Sequence, residues 1–144
     1  ATITDAWNTP MGAPNGGYAL ALMLRAAMEE LDVGRPAALA ISYLSSPKPG
    51  LEAEIRIRPI KMGRRVQTVD VLLEQADQPV LHLVATFIRN HEGFSNELGE
   101  APDLPAPEAC LDPKSTGLTP PGIFDRLDQR WPAAPAIYGR AARR

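Results

Sequence analysis

The stretch PNGGYALALMLRAAMEEL, residues Pro14 to Leu31, decides the fold. From Gly16 to Leu24 no side chain carries a charge, so a helix built here is apolar almost all the way round. Such a helix is enclosed by other structure rather than laid on a surface. Pro14 and Asn15 mark its start, because the Asn15 side-chain oxygen can accept from the N–H of Gly17 or Tyr18 as an N-cap. Gly16 and Gly17 are poor helix formers, each costing roughly 1 kcal/mol relative to Ala in a helix interior. A pair of them in the first turn therefore needs a reason, and two are open. Without a Cβ they expose the first N–H groups to a ligand oxygen, at the helix end that favours negative charge. Alternatively, they only let a neighbouring strand pass close by.

Outward from the helix, the segment Ala1 to Thr9 carries Ile3 and Trp7 in a short alternating pattern, and Pro10, Gly12 and Pro14 mark a loop. A short strand leading into a loop is expected there. On the other side, Gly34 and Pro36 stop the helix, and the period of the pattern changes from helical to two. Leu39, Ile41 and Tyr43 share one face of a strand that ends at Ser45, Ser46, Pro47, Pro49 and Gly50. Leu51, Ala53, Ile55 and Ile57 then alternate with Glu52, Glu54, Arg56 and Arg58, the pattern of a strand with one dry and one wet face. Pro59 lacks an N–H and marks a bulge, an edge or the end of pairing. After a turn at Lys61 to Arg64, Val66 to Gln75 reads as a third strand. Asp77, Gln78 and Pro79 turn the chain into a fourth, Val80 to Arg89, whose dry face is Leu81, Leu83, Ala85 and Phe87. Short turns make the four antiparallel neighbours.

A helix apolar on nearly every side is buried only if the sheet curls around it, since a flat sheet covers one face. The expected class is therefore α+β in the form of a hotdog fold, a curled antiparallel sheet wrapped around one long buried helix. A flat α+β sandwich with a partner chain on the far side of the helix is the alternative.

The chain has 144 residues with 44% hydrophobic and 22% charged, which suits one domain with an ordinary core. A net charge of −2 with scattered cations offers no electrostatic footprint for nucleic acid. The single cysteine, Cys110, rules out an intrachain disulfide framework and fits a reducing compartment. The apolar run of the helix is too short to span a bilayer and lacks the basic flank of a signal peptide. No membrane partner and a cytoplasmic location are expected. The hotdog domain is expected over residues 1–92, followed by a linker over 93–122 rich in Pro and acidic residues. Residues 123–144 are expected to be either the start of a second, missing hotdog, with Ile123, Leu127 and Trp131 as its first strand, or a tail.

Several stretches resemble the N-terminal half of the acyl-CoA thioesterase II family, the double-hotdog thioesterases. NGGYALALMLRAA at Asn15 to Ala27 is similar to that family's helix opening, and ISYLSSPKPG at Ile41 to Gly50 to its strand and turn. KMGRRVQTVDVLLEQ at Lys61 to Gln75 and LVATF at Leu83 to Phe87 are similar to later strands. The resemblance implies hydrolysis of a fatty acyl-CoA thioester by an activated water, with no metal or redox cofactor and coenzyme A as part of the substrate. Such chemistry needs N–H donors where the carbonyl oxygen gains charge, and a polar group that deprotonates water. Gly16 and Gly17 are the candidates for the first role, and Asn15, an N-cap first, is the candidate for polarising the thioester or orienting water. In the family the water-activating acid and its Thr and Gln partners belong to the second hotdog. The chain departs from the family where Asn15 replaces an aromatic residue and Tyr18 replaces Gln.

Tyr18, Arg64 and Arg65 are the candidate substrate-binding residues, the two guanidinium groups suiting the phosphates of coenzyme A. Asp70, the acid inside an apolar strand, reads as a solvated-face residue before a base, and His82 as a structural histidine. No second ligand stands at metal spacing beside His82, so no metal site is expected. Two functions remain: an acyl-CoA thioesterase completed by a second hotdog in cis or by a homodimer, and a non-catalytic hotdog that binds acyl-CoA or pairs with a catalytic one. A hydratase is weaker, because no Asp and His pair has the spacing its proton transfers need. An unpaired sheet edge predicts dimerisation.

Overall fold

The computed structural model describes residues 1–89, 93, 99, 103–116 and 122–132. Helix α1 runs over Gly16–Glu30 and is opened as expected by Asn15, whose side-chain oxygen accepts from the Tyr18 N–H at 3.2 Å. It closes at Leu31, which turns extended while its N–H still reaches the Ala27 oxygen. Four strands follow: β1 at Arg35–Tyr43, β2 at Glu54–Met62, β3 at Val66–Gln75 and β4 at Gln78–Ile88. All pairings are antiparallel, and the order across the sheet is β1-β4-β3-β2.

That order corrects one expectation. β2, β3 and β4 are neighbours in chain order, but β1 pairs with β4 at the opposite edge from β2. The hairpin between β3 and β4 closes with two residues, Ala76 and Asp77, both at positive φ, the backbone that matches the twist of flanking strands. The segment between Tyr43 and Glu54 is longer and carries Pro47 and Pro49, so it bridges the sheet from edge to edge instead of folding back. Pro59 sits where β2 bulges against β3, on the edge strand where a missing N–H does least harm.

Alternation decides what is buried. β3 turns Gln67, Val69, Val71, Leu73 and Gln75 inward, and β4 turns Leu81, Leu83, Ala85 and Phe87 inward. Ala19, Met23 and Ala27 of α1 meet them, and Ile3 closes one end of the core. Each large side chain so buried contributes about 1.5–3 kcal/mol. Gly17, Ala21 and Arg25 on the outer side of α1 face away from the core. Gly34 fits only because it has no Cβ: one added there would stand 2.1 Å from the Ile88 carbonyl oxygen.

Two terminal segments differ from expectation. Residues Asp5–Trp7 form a single 3-10 turn rather than a strand, because the Thr4 hydroxyl takes the Ala6 N–H and caps it locally. Its strand-type pairing is limited to isolated bridges, Thr2 to Glu52 and Asn8 to Pro14, while Ile3 exchanges backbone hydrogen bonds with Gly50 and Leu51. Residues Ile123–Arg126 form a short helix, α2, not a strand. The Ile123 N–H binds the Asn8 carbonyl at 3.1 Å, and Trp131 bridges to Leu111, so this part of the chain folds back on the N-terminal turn. Parts of the expected linker, residues 94–98, 100–102 and 117–121, and everything beyond Pro132 lie outside the described residues.

Candidate active site at the start of the helix

A hollow of about 380 Å³ opens beside the first turn of α1. Pro14, Gly16 and Ala19 line its helix side, Tyr43, Ser45, Ser46 and Pro47 line the opposite side, and Leu81 of β4 closes it below. The chain reaches this geometry because β1 runs beside the helix start and hands over to a loop there. The Leu44 and Ser45 N–H groups both bind the Val80 oxygen, at 2.9 and 3.1 Å.

The two glycines now have separate reasons. A Cβ on Gly16 would stand 2.9 Å from both Cε1 and the hydroxyl oxygen of Tyr43. Gly16 is therefore small because a side chain of β1 lies over it, the close-passage reading. A Cβ on Gly17 would meet the Asn15 Oδ1 at 3.0 Å, so Gly17 keeps the cap open. Asn15 uses its side chain on Tyr18 and its carbonyl on Ala19. Among the described residues the N–H groups of Gly16 and Gly17 meet no acceptor, and they sit where the helix dipole is positive.

The other candidates are placed elsewhere. The Tyr18 ring stacks on Trp7 with centroids 5.8 Å apart, and its hydroxyl accepts from the Thr4 N–H at 3.3 Å. It braces the N-terminal segment and does not line the hollow. Arg64 and Arg65 are exposed in the turn between β2 and β3. That turn borders the end of the sheet where Arg35 pairs with Ile88, whereas the hollow borders the end where Tyr43 pairs with Leu81. Seven strand steps of about 3.3 Å separate the two ends, roughly 23 Å. Within one chain the two arginines and the helix start do not form one site. Of the residues that do line it, Ser45, Ser46 and Pro47 carry no periodicity signal, and the alternation that includes Tyr43 marks a strand face without marking a site wall.

Asp70 and His82 face the outer side of the sheet, away from the hollow. Asp70 Oδ1 lies 2.5 Å from His82 Nε2, and Arg58 donates to the other oxygen at 3.0 and 3.3 Å. The His82 hydrogen bond, reinforced by Arg58, holds the Asp70 carboxyl below the usual carboxylate range against the opposing effect of burial. This corrects the expectation that no Asp and His stand together: strand pairing brings Asp70 and His82 into contact across β3 and β4, as a cross-strand network on the outer face of the sheet. Among the described residues no three His, Cys, Asp or Glu side chains gather to hold a metal ion, and no helix is long and apolar enough to cross a membrane.

Comparison with known proteins fits this geometry. A conserved hotdog-fold protein from Alicyclobacillus acidocaldarius superposes with a TM-score of 0.74 at 24% identity, over 88% of this chain and 46% of its own. The chain thus spans less than half the length of that protein. The TesB protein of Mycobacterium avium subspecies paratuberculosis superposes with a TM-score of 0.61 at 19% identity, over 70% of this chain and 40% of its own. A Streptococcus mutans protein solved with acetyl-CoA bound gives 0.56 at 25% identity, over 61% of this chain and 75% of its own. No curated protein matches significantly. The curled antiparallel sheet over one main helix is a hotdog fold. The family model for the acyl-CoA thioesterase N-terminal domain matches residues 3–88, and the chain belongs to that family.

Proposed function

We propose that the protein hydrolyses fatty acyl-CoA thioesters, as one half of a site completed by a second hotdog unit. The observation that carries this reading is the hollow at the start of α1, lined by Gly16 and Tyr43, beside a first turn whose Gly16 and Gly17 N–H groups meet no acceptor among the described residues. A thioester carbonyl oxygen placed there gains charge as water attacks, and preorganised N–H donors stabilise that charge. Asn15 supports the donors by fixing the first turn. Among the described residues no carboxylate lines the hollow, and the group that activates water comes from the second unit, in cis or in a homodimer.

The two sheet edges support the place of that second unit. β2 carries Arg56, Arg58 and Lys61 and a bulge at Pro59, all features that discourage a further strand. β1 carries no charge from Pro36 to Tyr43, and most of it is exposed. A second unit therefore pairs along β1, beside the hollow. Antiparallel pairing brings the other unit's β2–β3 turn toward this hollow, and in a homodimer Arg64 and Arg65 serve the coenzyme A phosphates across that edge. The reaction belongs to cytoplasmic fatty acid metabolism and uses no metal or redox cofactor.

The test is thiol release from octanoyl-CoA and palmitoyl-CoA by the full-length protein. Turnover supports the reading. Binding of acyl-CoA without turnover supports the non-catalytic hotdog, and neither binding nor turnover overturns both.

A further inference from the structure

The inward face of β3 reads Gln67, Val69, Val71, Leu73, Gln75, with a glutamine at each end of an apolar row. Gln67 is 2% exposed and Gln75 6%, and a buried carboxamide is costly unless both of its ends are bonded. Both are. Gln75 Oε1 accepts from the Lys48 N–H at 2.7 Å, while Nε2 donates to the oxygens of Lys48 at 3.0 Å and Leu51 at 3.3 Å. Gln67 Oε1 accepts from the Gly34 N–H at 3.3 Å, and Nε2 donates to the Gly63 oxygen at 2.9 Å. Each glutamine thus pins a connection to one end of the same strand.

The two connections differ in what they build. Lys48 directly follows Ser45, Ser46 and Pro47, the wall of the hollow facing the helix start. That wall is tied to Val80 where it begins and to Gln75 where it ends. Beyond it, Gly50 and Leu51 are held separately by Ile3. Releasing Gln75 therefore frees the wall without freeing the rest of the loop. Gly34 and Gly63, which Gln67 holds, stand at the other end of the sheet and line no part of the hollow.

We infer that Gln75 is a positioning residue of the acyl-CoA site: its buried carboxamide sets the Ser45–Pro47 wall at the width that seats a thioester between the wall and the first turn of α1. The inference rests on the proposed function and adds a specific residue to it. Gln67 is its internal control, likewise buried and bonded through both its Oε1 and its Nε2.

The test compares Gln75→Met with Gln67→Met in the full-length protein, on octanoyl-N-acetylcysteamine, a thioester without the nucleotide, so that phosphate contacts do not enter. Both variants lower the melting temperature. Gln75→Met raises KM roughly tenfold with kcat within about twofold, the pattern of lost uniform binding, whereas Gln67→Met leaves KM within about twofold. Gln75→Glu, which keeps an acceptor for the Lys48 N–H, gives an intermediate KM and serves where the Met variant does not fold. In the unmodified protein, adding desulfo-CoA slows hydrogen exchange of the Lys48 amide roughly fivefold or more and leaves the Gly34 amide unchanged. Equal KM effects of the two Met variants, or equal slowing at the two amides, overturn this inference alone. Neither turnover nor binding by the unmodified protein overturns the functional reading and this inference with it.

Discussion

Asp70 bridges two strands at once, with one carboxylate oxygen against His82 of β4 and the other held by Arg58 of β2. Because these partners lower its pKa in the folded state, the folded protein binds fewer protons at this group than the unfolded chain. The stability it contributes is present above the unfolded carboxylate pKa and is lost as pH falls through the folded one. Asp70→Asn is expected to cost about 1 kcal/mol at pH 7, and the deficit relative to wild type shrinks on acidification below about pH 4. Urea unfolding at pH 7 and at pH 3 checks it. A deficit that grows on acidification would contradict the assignment.

Gly16→Ala separates stability from the site. Alanine favours the helix by about 1 kcal/mol, while its Cβ must displace the Tyr43 ring, whose hydroxyl end stands 2.9 Å away. Tyr43 is 54% exposed and can swing outward, so the melting temperature changes by only a few degrees. The hollow changes shape, and thiol release from octanoyl-CoA falls by roughly tenfold or more. Unchanged turnover in this variant speaks against the hollow as the thioester site.

The turn between β3 and β4 is open to improvement. Ala76 and Asp77 have φ of 50° and 58°, a region that costs most L-residues roughly 1–2 kcal/mol. Asn-Gly suits both positions. The double variant Ala76→Asn, Asp77→Gly is expected to gain about 1 kcal/mol in chemical denaturation, with activity unchanged.

The free edge makes a prediction about assembly. Leu39 lies on the inward face of β1 and is 40% exposed. Sedimentation of the 144-residue chain is expected to show a dimer, and Leu39→Lys, which places a charge beside the pairing edge, is expected to shift it to monomer. Dimers that persist in this variant place the contact elsewhere.

The legible parts of this fold were those where the chain is regular. Alternation located β3 and the dry face of β4, and the Asn15 cap with its uncharged run located α1. The partner of β1 was not legible, because a connection carrying Pro47 and Pro49 says that a hairpin is absent without saying which edge the chain reaches. The site was half legible. Of Asn15, Gly16 and Gly17, Gly16 lines the hollow, and it owes its size to Tyr43, a contact across 27 residues that no local pattern encodes. Gln67 and Gln75 escaped notice because apolar periodicity gives no weight to a polar residue facing inward. Arg64 and Arg65 stood out by charge, which carries no information about distance from the helix.

The order β1-β4-β3-β2 also constrains how the molecule forms. β2, β3 and β4 are joined by tight turns and can zip together as a local meander. β1 must wait for β4, which is made some forty residues later, and closing that long loop carries an entropic cost that the tight turns avoid. Tyr43, at the end of β1, is thus among the last residues to gain its native neighbours. Substitutions there are expected to speed unfolding far more than they slow folding, so β1 and the wall it leads into are expected to open before the β2–β3–β4 meander.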